Sequence, residues 1–131
     1  MNLFKSNINI RFADIDMLGH VNNAKYISYI EQARIEFFNF HVPDFDWTNA
    51  GIILARTEID YLLPLHLKDQ LEVSVHCSRT GSKSFDLTYS LNNTCNNTHV
   101  ACAKTIMVCY DYITKKSMPI PEKWKGFLQT I

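Results

Sequence analysis

Residues 24–40, AKYISYIEQARIEFFNF, carry apolar or aromatic side chains around most of a helical wheel. At about 100° per residue, Lys25, Ser28, Gln32, Glu36 and Asn39 gather in one arc of roughly 80°. Tyr26, Ile27, Tyr29, Ile30, Ala33, Ile35, Phe37, Phe38 and Phe40 fill much of the remainder. A helix resting on a flat surface needs only an apolar stripe. This one asks for cover on most of its circumference, so whatever packs on it must curve.

The other segments supply that cover as strands. Residues 7–12, NINIRF, alternate and predict a short strand before the helix. Residues 41–51, HVPDFDWTNAG, have the Pro, Asp, Asn and Gly of a loop. In residues 53–63, Ile53, Ala55, Thr57, Ile59 and Tyr61 share one parity while Arg56, Glu58 and Asp60 take the other, the pattern of a half-buried strand. Leu71, Val73, Val75 and Cys77 alternate with Glu72, Ser74, His76 and Ser78; RTGSK then turns the chain into Phe85, Leu87, Tyr89 and Leu91. NNTCNNT is a polar hairpin loop, residues 99–111 form a long last strand, and Pro121 is placed to open a short terminal helix. Short links between the later strands imply antiparallel pairing. The expected fold is α+β: a curved antiparallel sheet of five or six strands wrapped around one long central helix, as a single domain over residues 1–131.

Bulk properties narrow the function classes. A chain of 131 residues with 47% hydrophobic side chains holds a core without staples. Thirteen basic and thirteen acidic side chains cancel, which gives no electrostatic case for nucleic acid or an anionic membrane as partner. The opening MNLFKSNINIRF lacks the apolar run of a signal peptide, and no segment approaches the ~18 apolar residues of a membrane span. A cytoplasmic location is expected. Cys77, Cys95, Cys102 and Cys109 show no CxxC spacing, and three of them lie in strand-like runs as small apolar fillers. Neither a metal site nor a cofactor is expected.

Residues 14–26, DIDMLGHVNNAKY, crowd polar chemistry into the mouth of the helix. Gly19 supplies an unusual backbone angle, and Asn22 or Asn23 is a natural N-cap. Asp14 braces the loop or pairs with Arg11. Inside the apolar arc, Glu31 and Arg34 stand three residues apart; buried charges must be paired, with each other or across a subunit interface.

The pattern RFADIDMLGHVNNAKYISYIEQARIEFF, with ARTEIDYLLPLHLKDQLEV downstream, resembles the hot-dog-fold acyl-CoA thioesterases of the 4-hydroxybenzoyl-CoA thioesterase type. HVNNAKY also resembles plant acyl-ACP thioesterases. The resemblance covers roughly residues 7–110. It implies a hydrolase cleaving acyl-CoA (or acyl-ACP) thioesters, with Asp16 as nucleophile or general base and amides near residues 23–26 as oxyanion donors. By the same resemblance His20 joins the catalytic set, orienting the acid or water. The acyl-ACP enzymes carry an Asn two residues after the aspartate, where this chain has Leu18, so their full network does not transfer. Gly19, Asn23 and Tyr26 become substrate-binding candidates, Tyr26 either lining the acyl pocket or filling the core. Arg79, Ser82 and Lys83, around Gly81 in a turn, are candidates for gripping CoA phosphates. A hydratase on this fold uses an Asp and a His five apart around a Pro; here Asp16 and His20 are four apart without one. A catalytically silent acyl-binding or partner-binding domain is the other alternative. The resemblance further implies a homodimer or homotetramer with sites at the subunit boundary.

Overall fold

The computed structural model describes residues 3–49 and 51–129. Six strands and one long helix follow in the order β1 (Phe4–Ile8), α1 (Lys25–His41), β2 (Ile52–Tyr61), β3 (Leu71–Thr80), β4 (Ser84–Asn93), β5 (Thr98–Asp111) and β6 (Lys116–Ser117). Five strands form the path β1-β3-β4-β5-β2, every pairing antiparallel, and β6 adds to β5. The expected α+β architecture of a curved sheet around one helix is what the chain adopts.

The first strand lies earlier than the alternation of residues 7–12 predicts. Asp14 draws in the Arg11 amide at 3.1 Å and the Arg11 guanidinium at 3.3 Å, and Phe12–Asp14 winds into a 3₁₀ turn. Those local bonds override the period-2 pattern after Ile8.

Helix α1 buries Tyr26, Tyr29, Ile30, Ala33, Arg34, Phe37 and Phe38 along one stripe. They meet the inward residues of the sheet, among them Val73, Val75, Phe85, Leu87, Tyr89, Leu91 and Met107. The sheet does not give the helix the cover expected on most of its circumference: Ile27 stays 47% exposed, Ile35 36% and Phe40 68%. At the far end of α1, Phe38 packs against Phe45, Phe85, Trp124 and Phe127, and Thr80 Oγ1 donates to the Leu128 carbonyl at 2.6 Å. Pro121 caps a 3₁₀ turn, Glu122–Trp124, in place of the expected short α-helix.

Strand β2 departs from its expected parity. Leu54 pairs with Met107 and Arg56 with Ile106, so Ala55 is an extra, bulged residue. Thr57, Ile59 and Tyr61 oppose the buried Thr105, Ala103 and Ala101 as the alternation predicts. Before the bulge the inward positions are Ile52 and Leu54, and Ile53 turns outward. This strand closes one edge of the sheet and is largely exposed on both faces.

Charge in the core is satisfied locally. Arg34 Nη1 donates to Tyr89 Oη at 3.3 Å, Tyr89 Oη and Thr105 Oγ1 lie 2.8 Å apart, and Glu31 sits 3.8 Å from Arg34 Nη2. The expected Glu31–Arg34 pairing therefore forms within the chain, but Glu31 is exposed, so only Arg34 is the buried charge that the apolar arc implied.

Candidate active site

The segment between β1 and α1 folds back on itself as a small bracket. Ile15 and Val21 bridge antiparallel, Asp16 N donates to the His20 carbonyl at 2.8 Å, and Gly19 N to the Asp16 carbonyl at 3.1 Å. The tight return needs a left-handed residue, and Gly19 supplies it at φ +81°. Val21 N donates to the Leu65 carbonyl at 2.8 Å and Asn22 N to the Asp14 carbonyl at 2.8 Å, which fasten the bracket to the body of the molecule.

Within it the two acids take different positions. Asp14 is buried: its Oδ2 accepts from Tyr29 Oη at 2.7 Å and from Arg11 N at 3.1 Å. Both expected roles for Asp14 hold at once, bracing the loop and pairing with Arg11. Asp16 is only half-buried, and its Oδ1 accepts from the amides of Leu18 at 2.8 Å and His20 at 3.3 Å. No group among the described residues bonds Oδ2. One carboxylate oxygen is thus held by two amides and the other is not.

Asp16 and His20 share the wall of a cleft of about 350 Å³ with Leu18, Val21, Asn23, Tyr61, Leu62, Leu63 and Pro64. Tyr61 Oη donates to the Asn23 carbonyl at 3.1 Å across it. The residues at the end of β2 and just beyond it carried no expected site role; the signals available were the inward parity of Tyr61 and the place of YLLP in the downstream pattern that carries the resemblance.

Helix entry differs in detail from the expectation. The N-cap position belongs to Ala24, and capping is done two residues before it: Asn22 Oδ1 accepts from Ala24 N at 2.9 Å, and the Asn22 carbonyl accepts from Lys25 N at 2.9 Å. Tyr26 N donates to the Asn23 carbonyl at 3.3 Å. Of the amides from 23 to 26, three are therefore already bonded, and among the described residues only that of Asn23 has no protein acceptor. Tyr26 is 2% exposed and does not reach the cleft; its ring stands edge-on to Tyr61 at 5.0 Å and backs that wall from the core. Burial holds the Tyr26 phenol above the usual tyrosine range.

The basic turn is elsewhere in this chain. Tyr61 pairs with Ala101 and Ser84 with Val108, so seven residues of β5, about 23 Å, separate the two ends. Arg79 is engaged by Asp86 at 2.9 Å and Ser84 Oγ at 2.8 Å, while the Ser82 and Lys83 carbonyls accept from Ile120 N and Cys109 N. One chain does not bring Arg79, Ser82 or Lys83 to Asp16. A second cleft, of about 280 Å³, lies at their end of the molecule between α1 and the start of β2, lined by Ile35, Phe38, Ile52, Leu54 and Met107 with Glu31 and Arg34.

Among the described residues no group of three His, Cys, Asp or Glu side chains is placed to hold a metal ion, and no helix is long and apolar enough to cross a membrane.

Residues 10–128 match the thioesterase-like superfamily, and the chain belongs to that family of hot-dog-fold hydrolases. Its chemistry is thioester hydrolysis. A 1,4-dihydroxy-2-naphthoyl-CoA hydrolase of Synechococcus elongatus is 31% identical over 92% of this chain and 90% of its own length. The long-chain acyl-CoA thioesterase FadM of Escherichia coli is 27% identical over 88% of this chain and 89% of its own. A Thermus thermophilus thioesterase crystallised with coenzyme A and zinc superposes with a TM-score of 0.84 at 31% identity, covering 96% of this chain and 97% of that one.

Proposed function

We propose that the protein hydrolyses acyl-CoA thioesters with Asp16 as general base. The observation that carries this reading is the asymmetric carboxylate: Oδ1 is fixed by two amides, while Oδ2 has no partner among the described residues and the residue lines an open cleft beside a helix start. Oδ2 takes a proton from water as its oxygen adds to the thioester carbonyl. The carbonyl electrons move to oxygen, where the Asn23 amide and the positive end of α1 meet the developing charge. The tetrahedral adduct then collapses, the C–S bond breaks, and the thiolate recovers the proton from Asp16 as free acid and CoA thiol form. His20, in the same wall, orients the attacking water. Relatives named as acyl-CoA hydrolases, and a neighbour crystallised with coenzyme A, support CoA as the carrier.

The site is completed by a second copy. Strand β2 leaves an unpaired edge, and Ile27, Ile35 and Ile53 stay uncovered in one chain. Antiparallel pairing of two β2 edges sets the Ile52 end of one copy beside the Tyr61 end of the other. The cleft of Ile35, Phe38 and Leu54 then adjoins the partner copy's reacting carboxylate as acyl wall, and the basic turn approaches it from the same side.

The test is thiol release across a series of acyl-CoA lengths for the native protein and Asp16→Asn. We expect a loss of about a hundredfold or more. Equal rates in the two proteins would reject the assignment, and no release from any ester by either would favour an acyl-binding protein.

A further inference from the structure

We infer that His66 is a positioning residue for His20, an inference that rests on the reading of Asp16 and His20 above. The His20 ring lines the cleft, yet no hydrogen bond to its side chain exists among the described residues; the bond its residue makes to Asp16 comes from the backbone amide. What the ring does touch is the imidazole of His66, with centroids 5.0 Å apart and planes at 83°. Edge-to-face contact of this kind aims the polarised edge of one ring at the electron-rich face of the other, so it fixes orientation as well as distance.

His66 is built to hold its place. Val21 N donates to the Leu65 carbonyl at 2.8 Å, and Leu65 is fully buried, so the residues flanking that bond, His20 and His66, are brought opposite each other by backbone register. Asp69 closes a tight turn around His66: its Oδ2 accepts from His66 N at 2.8 Å and stands 3.4 Å from Nδ1, while Asp69 N returns a bond to the His66 carbonyl at 3.1 Å. An acceptor at Nδ1 favours the tautomer carrying its proton there and restrains rotation of the ring. The result is a chain of orientation, Asp69 to His66 to His20, ending in the wall that carries Asp16. The sequence separates these residues by 46 positions, and nothing in the spacing of PLHLKD announces that its histidine faces the one in LGHVNN.

A double-mutant cycle on the full-length protein tests this, with kcat and KM for an acyl-CoA ester measured in native, His20→Ala, His66→Ala and the double variant. His66→Ala should lower kcat about tenfold with KM within twofold, and should cost nothing further once His20 is Ala. His66→Phe, which keeps a ring edge at that place, should restore most of the lost turnover. Equal fold losses from His66→Ala in both backgrounds would overturn the inference while leaving the role of His20 intact, as would unchanged kcat in His66→Ala. Full activity in His20→Ala would overturn both the inference and that part of the mechanism, whereas full activity in Asp16→Asn would remove the reading beneath them.

Discussion

Asp14 is 2% exposed and bonded by Tyr29 and Arg11, whereas Asp16, two residues on, keeps one oxygen unbonded among the described residues, at the edge of a cleft. Burial pushes the Asp14 carboxyl up, but the hydrogen bonds from Tyr29 and from the Arg11 amide, with the guanidinium's charge and its own bond, outweigh burial and bring it below the ordinary 3.8. A carboxyl depressed in the folded state adds stability that is fully present above about pH 4 and fades as pH falls through the folded value. Asp14→Asn should therefore cost about 2 kcal/mol at neutral pH, and its urea midpoint should converge on that of the native protein once pH falls below the range in which the folded carboxyl titrates. A constant gap between the two across that range would mean the charge contributes nothing. The Arg11 contact was legible in the sequence because the two residues are neighbours on one turn. The Tyr29 bond was not, since it depends on which way the incoming chain is laid against α1.

At the level of elements, the bracket of residues 15–21 sets the place of Asp16 and His20, and the bulge in β2 sets which residues of that strand face inward. Gly19 at φ +81° is required for its backbone alone, as an added Cβ would meet no atom within 4 Å. Gly19→Ala should cost about 1 kcal/mol from the left-handed conformation, read by chemical denaturation, and should lower kcat as the amides of residues 18 and 20 lose their aim at Asp16. A variant as stable and active as the native protein would show that the bracket tolerates another path. The long helix and the three later strands were readable because burial on one side imposes a period on their residues. Period alone cannot count an inserted residue, so Ile53 and Ala55 were placed on the inward face when the bulge at Ala55 reverses the faces before it. The first strand slipped for a related reason: side-chain bonds of Asp14 outbid a weak alternation over a few residues.

For the molecule as a whole, the wheel of α1 asks for more cover than the sheet provides, and that excess is information about assembly. Ile27 and Ile35 remain open, next to an unpaired ten-residue edge strand. Light scattering should give at least twice the 15.2 kDa chain mass. Ile53→Lys sits on that edge and already faces outward in one chain, so it should leave the fold intact while shifting the protein to monomer and abolishing turnover together. A fully active monomer would mean that one chain holds the whole site. The distance between the basic turn and Asp16 belongs to this scale also. Sequence proximity to Gly81 identified a plausible phosphate grip, but only pairing between chains would carry it to the acid.

Among the described residues, every hydrogen bond made to Asp16 itself comes from residues 16–20, whereas the opposite wall, Tyr61 to Pro64, belongs to a different stretch of the chain. The local bonds of Asp16 and the lining it faces are thereby encoded in separate stretches of the gene. Codon changes at Leu62 or Leu63 can alter the lining of the cleft while the bonds to Asp16 stay in place, so the two walls can vary independently.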